Sequence, residues 1–208
     1  MVEGRTRPPR IGVFGSAFNP PQLAHIAVVE EARQQLGLDL VVIVPTGEAY
    51  HKQPESDPGR ELRFRMAEVA FSAAAGVTVS RCEIDRPGPS CTYVTLEQIA
   101  EENPDSEIHL LMGADAACGF GGWRHPERIL ELARVAVFPR PGVGHEEVSR
   151  VFQRLGGSDR IEFLDAPATG VSSSDVRGRI ASGLPIEDLV PQAVVEMINN
   201  EGVYASEL

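Results

Sequence analysis

The chain has 208 residues, 42% apolar and 24% charged, which suits one globular domain rather than a disordered or fibrous chain. No apolar stretch approaches the ~20 residues of a membrane helix. With 30 acidic residues against 19 basic ones, the net charge of -11 argues against a broad nucleic-acid surface, so an anionic ligand must be met by a local pocket.

Residues 1–9 carry Arg5 and Arg7 without an apolar core and read as a loose tail rather than a secretory signal. A single domain is expected over residues 10–208. Cys82, Cys91 and Cys118 are odd in number and widely spaced, which fits neither a disulfide framework nor a zinc site and points to a reducing cytoplasm. Neither a nucleic acid nor a membrane is expected as a partner.

The first apolar run, Arg10–Phe14, and the second, Asp39–Pro45, read as buried parallel strands. Between them Leu23, Ile26, Ala27, Ala32 and Leu36 fall at helical spacing, and Gly37 stands where a C-terminal cap belongs. Further helices are expected near Glu61–Ala74 and Thr92–Glu102, from Pro126, and near Glu146–Leu155. Strands are expected at Gly76–Ser80, Glu107–Gly113, Arg134–Arg140 and Ile161–Leu164. Two closing helices start at Ser172–Ser174 and at Pro191, the second stopping at Gly202. This alternation predicts an α/β fold, a doubly wound and mostly parallel sheet, with ligands beyond the carboxyl ends of its strands. The loops after the first, second and fourth strands are therefore the candidate site.

The P-loop, the G-x-G-x-x-G fingerprint, H-E-x-x-H and G-x-S-x-G are all absent. Instead the first strand runs into Gly15–His25, "GSAFNPPQLAH", a turn that opens a helix. A helix start offers unpaired N–H groups and partial positive charge, which suits phosphate, and Gln22 and His25 share one helix face. The plainer alternative is a βα turn with a half-exposed histidine. A second such start is "GVSSSDVRGR", Gly170–Arg179, where Ser172 can cap the helix with Asp175 as its acidic counterpart and Arg177 lies one turn in. Alone it reads rather as a well-capped helix with a solvated arginine.

Taken in order, these segments resemble the H-x-G-H nucleotidyltransferases, and within them the bacterial nicotinate mononucleotide adenylyltransferases. The resemblance runs from about Ile11 to Tyr204. It is carried by Gly15–His25 in place of GGTFDPIHxGH, by Val171–Arg177 in place of ISxTxxR, and by His51 and Lys52. "PSCT" at Pro89–Thr92, "MGAD" at Met112–Asp115, Trp123, "PRPG" at Pro139–Gly142 and "INNEGVY" at Ile198–Tyr204 complete it. The resemblance implies a Rossmann-like fold with C-terminal helices completing the ATP site. It implies adenylyl transfer from ATP, carrying Mg2+ with no protein metal ligand, to nicotinate mononucleotide.

Carried over, His25, Lys52 and Arg177 are the catalytic cations, neutralising the triphosphate with Ser172 and Ser173. Gly15, Ser16, Ala17, Phe18 and Gln22 form the phosphate-binding turn, and Gly113 and Asp115 hold a ribose. Asn19, Thr92 and Trp123 serve the pyridine mononucleotide, with Trp123 stacked on its ring. The sequence departs from the motif at Gln22, Ala24 and Asn19, which stand for His, Gly and Asp, so the alternatives are a non-catalytic nucleotide-binding homologue or another phosphorylated acceptor.

Overall fold

A computed structural model describes residues 7–49, 56–166 and 170–205. Its strands are β1 (Arg10–Ser16), β2 (Leu40–Pro45), β3 (Val77–Val79), β4 (Glu107–Gly113), β5 (Arg134–Phe138) and β6 (Ile161–Phe163). They form one six-stranded sheet in the order β3-β2-β1-β4-β5-β6, with every pair parallel. Strand β4 has its expected bounds, β1 runs past Phe14 and through Gly15 to Ser16, and β2, β3, β5 and β6 are each slightly shorter than expected. Residues 7–9, expected in the loose tail, are tied to the sheet. Arg7 bonds Asp39 and the Gly37 carbonyl, and the Pro9 carbonyl accepts from the Glu107 N–H.

The helices among the described residues are α1 (Leu23–Leu36), α2 (Arg60–Phe71), α3 (Cys82–Asp85), α4 (Thr92–Glu102), α5 (Ala114–Cys118), α6 (Pro126–Leu132), α7 (His145–Arg154), α8 (Ser173–Ala181) and α9 (Gln192–Glu201). Gly37 closes α1 in the left-handed conformation at φ 60°, where only glycine is free of strain, and Ser172 is the N-cap of α8. The short helices α3 and α5 were not expected from sequence. None of the described helices is long and apolar enough to cross a membrane.

Strand side chains alternate between two cores, as the two-residue period requires. Val41, Ile43, Leu111, Ala136 and Phe138 face one layer with residues of α1, α2, α8 and α9. Ile11, Val13, Val42, Val44, Leu110 and Val137 face the other, with residues of α4, α6 and α7. The chain runs outward from β1 to β3, then crosses back to β4 beside β1. That reversal opens a crevice where β1 ends at Ser16 and β4 ends at Gly113, the place where such sheets receive ligands.

Candidate active site

Two adjoining cavities occupy this crevice. The one deeper against the sheet, about 300 Å3, is lined by Ser16, Thr46, Glu83, Ser90, Thr92, Trp123 and others. Its neighbour, about 410 Å3, is lined by Gln22, Pro141, Val143, Gly170, Ser172 and Ser173. Ser16, His25, Asp115 and Arg140 line both, so the two volumes meet across these side chains. Each has the size of a small-ligand pocket.

The turn after β1 is fixed from behind. Phe18 adopts φ 49°, a conformation that disfavours a side chain, and its fully buried ring anchors it. That ring meets Phe14, Phe71 and His25 edge-on at 5.8, 5.9 and 5.1 Å. The Asn19–Pro20 peptide is cis. Asn19 is 2% exposed and accepts the Tyr204 hydroxyl on Oδ1 at 2.6 Å, while its backbone carbonyl accepts from Arg177 Nη1 at 2.8 Å. Burial pushes the Tyr204 phenol up, so the hydroxyl keeps its proton and donates. Ser173 donates its hydroxyl to the Pro20 carbonyl, joining α8 to the same turn.

Gln22 is the N-cap of α1. It is 3% exposed, and its side-chain amide nitrogen is buried without a hydrogen-bond partner, so a buried donor faces the larger cavity unpaired. His25 accepts the Gln22 backbone N–H on Nδ1 at 3.0 Å, which leaves the proton of the neutral ring on Nε2. Burial, aided by the Arg140 charge, lowers the His25 pKa from 6.5 to about 4. The expected cation is thus a neutral N–H donor near pH 7 in the unliganded protein, a correction that follows from its desolvation.

Ser172 is spent on its own helix. Its hydroxyl donates to Asp175 Oδ2 at 2.7 Å and accepts the Asp175 N–H at 3.2 Å, while its backbone N–H also meets Asp175. What α8 presents to the larger cavity is the helix start itself. Arg177 lines neither cavity; its guanidinium holds the Asn19 carbonyl and the Ser174 hydroxyl. Asn19 and Phe18 also lie behind the turn rather than along its cavity face. Lys52 and His51 fall outside the described residues.

Gly113 stands where a Cβ would come within 2.5 Å of Asp115 Oδ1, 3.0 Å of Arg140 Nε and 3.2 Å of Phe138 Cε2, so the missing side chain leaves room for these groups to close over the end of β4. Arg140 was quoted in sequence only as part of "PRPG". It brings a charge to both cavities, 3.6 Å from Asp115 and 5.4 Å above the Phe138 ring. Glu83 is likewise an addition: it is 8% exposed, lines the deeper cavity and accepts the Thr95 hydroxyl at 2.6 Å. Thr92 opens α4 beside Trp123, whose indole packs at 5.4 Å against Phe120. The structure therefore brings together Gly15, Ser16, His25, Gly113, Asp115, Thr92 and Trp123 at one cavity, and Gln22, Ser172 and Ser173 at the other.

The cytidylyltransferase-like family model matches residues 13–179. A probable nicotinate-nucleotide adenylyltransferase of Roseiflexus sp. (strain RS-1) is 38% identical over 196 residues, covering 93% of this chain and 97% of the relative. One from Clavibacter sepedonicus is 36% identical over 208 residues, covering 100% of both. Among solved structures, Plasmodium falciparum nicotinic acid mononucleotide adenylyltransferase complexed with NaAD superposes with a TM-score of 0.78 at 16% identity, covering 94% of this chain and 97% of that one. A putative nicotinate-nucleotide adenylyltransferase from Vibrio parahaemolyticus gives 0.69 at 24% identity, with 96% and 98% covered. The two superpositions show a shared fold. The family match and the relatives at 36–38% identity over nearly full length go further: the chain belongs to the cytidylyltransferase-like family, among its nicotinate-nucleotide adenylyltransferases.

Proposed function

We propose that the protein transfers the adenylyl group of ATP to nicotinate mononucleotide, giving nicotinate adenine dinucleotide and pyrophosphate. The observation that carries this reading is the unpaired, buried amide of Gln22 beside the Nε2 donor of His25, facing the start of α8 across one cavity that also receives Arg140. Neutral N–H donors, a helix start and one guanidinium make a site for a polyphosphate rather than for a carboxylate or a sugar alone. Mg2+ enters with ATP, as part of the substrate. Asp115 is the carboxylate that reaches both cavities.

In this reading ATP occupies the larger cavity, with its triphosphate along Gln22, His25 and the Ser172–Ser173 backbone. The mononucleotide occupies the deeper one, its ring against Trp123 and its ring carboxylate at the Thr92 helix start. A phosphate oxygen of the mononucleotide attacks the α-phosphorus, and the bond from that phosphorus to the β-bridging oxygen breaks in line. No protein nucleophile takes part. The His25 N–H and the Arg140 charge stabilise the negative charge that gathers on the phosphoryl oxygens, and the fixed turn supplies alignment. Arg177 and Tyr204 act through Asn19 by holding that turn.

The test is incubation of the purified protein with MgATP and nicotinate mononucleotide, following dinucleotide and pyrophosphate together. Stoichiometric appearance of both is expected. Absence of product with this acceptor and with its nicotinamide analogue would overturn the reading, and ATP binding without turnover would identify a nucleotide-binding homologue.

A further inference from the structure

Arg63 is one of 18 arginines and belongs to no motif. It sits in α2, lines neither of the two cavities, and is 2% exposed. All three guanidinium nitrogens are engaged. Nε donates to Asp57 Oδ1 at 2.9 Å, Nη1 to the carbonyls of Ala17 at 2.8 Å and Thr46 at 2.6 Å, and Nη2 to the carbonyl of Gly47 at 3.1 Å. Ala17 follows β1 and Thr46 follows β2, so one rigid fork spans the exits of two neighbouring strands.

The connection continues on the far side of Gly47. Its N–H donates to Ser90 Oγ at 3.0 Å, and the Ser90 N–H donates to the Glu48 carbonyl at 2.8 Å. A Cβ at Gly47 would overlap the Glu83 carbonyl, so this strand exit lies hard against α3. Ser90 precedes Thr92 by two residues, and both line the deeper cavity. A continuous path thus runs from the phosphate-binding turn at Ala17, through Arg63 and Gly47, to the loop of Ser90 and Thr92.

Resting on the adenylyl-transfer reading, we infer that Arg63 is a positioning residue: it sets the separation between the turn that holds the triphosphate and the loop that holds the mononucleotide. In-line attack needs the attacking oxygen and the α-phosphorus in near contact, and a misplacement of about 1 Å costs on the order of 100-fold in rate. Of the two segments that Arg63 links, the turn after β1 serves ATP and the Ser90–Thr92 loop serves the mononucleotide, and each ligand has further contacts that the fork does not hold. Loosening the fork therefore spoils their mutual alignment before it spoils either binding event.

The experiment is Arg63→Lys, which keeps a charge for Asp57 but cannot span three carbonyls. Calorimetry with each ligand alone counts binding-competent sites, and turnover is expressed per such site. Affinity for ATP and for nicotinate mononucleotide separately is expected to stay within about threefold of wild type, while kcat falls by about tenfold or more. A purely structural role would lower the number of sites and leave kcat per site unchanged, which overturns the proposal; so does a loss of affinity as large as the loss of kcat. Should Arg63→Lys fail to fold, Asp57→Asn loosens the same fork at its Nε bond with a residue that lines neither cavity, and the same split between affinity and kcat is expected. An inactive wild-type protein would defeat the reading of the reaction itself.

Discussion

His25 makes the protein sensitive to acid in a way that can be calculated. Its pKa is lowered from 6.5 to about 4 in the fold, because the buried ring loses hydration when charged and Arg140 stands nearby. Well above pH 6.5 the ring is neutral whether the chain is folded or not, and the linkage contributes nothing further. As the pH falls, the unfolded chain takes up the proton first, so the native state loses stability until its own pKa is passed. The loss amounts to about 2 kcal/mol between about pH 7.5 and pH 5, with a ceiling of about 3 kcal/mol below pH 4. Urea unfolding of wild type and His25→Gln at the two pH values measures it. The carboxylates and His109, whose pKa is also lowered by burial, titrate in both proteins and cancel in the comparison. The variant should lose about 2 kcal/mol less than wild type on acidification. Equal losses in the two proteins would refute a neutral, desolvated His25, and an imidazole NMR titration with its midpoint near 6.5 would do the same.

Further substitutions probe the remaining parts of the site. Removing the Nε2 donor by His25→Ala should lower kcat more than about tenfold, read in the coupled pyrophosphate assay. Gln22→Ala should raise the KM for ATP and reduce kcat/KM by about tenfold, whereas Gln22→His should preserve or raise activity by offering a donor in the same place. Gly113→Ala pushes on the Asp115 and Arg140 side chains, which line both cavities, and on the buried Phe138 ring, so the KM for both substrates should rise severalfold with a modest fall in melting temperature. Phe18→Ala empties a fully buried ring site in an already disfavoured backbone conformation, and chemical denaturation should show a loss of about 3–5 kcal/mol.

The sheet was largely legible in the sequence because strands covered on both faces appear as unbroken apolar runs, as in Leu40–Pro45 and Arg134–Phe138. Helix α4 was readable to the residue at both ends, and α1 announced its stop through Gly37. Helices α3 and α5, of four and five residues, are too short to display a period and are set by packing at strand exits. In the site, the two helix starts were visible because they are local. The neutrality of His25 was not, since it depends on burial that no sequence spacing encodes. Arg140 stands two residues past β5 and could have been found by applying the rule of carboxyl strand ends to that strand as well. Arg63 is hidden among many arginines, and its partners at residues 17, 46 and 57 come together only in the folded chain.

The bond from Tyr204 to Asn19 spans 185 positions of the chain. A polypeptide leaving the ribosome therefore exposes its first βα turn long before the hydroxyl that steadies Asn19 has been synthesised. Closure of such a distant contact comes late in assembly. The conformation of the first βα turn is thereby tied to the far end of the domain, so Tyr204→Phe should loosen the Asn19 turn without touching either cavity.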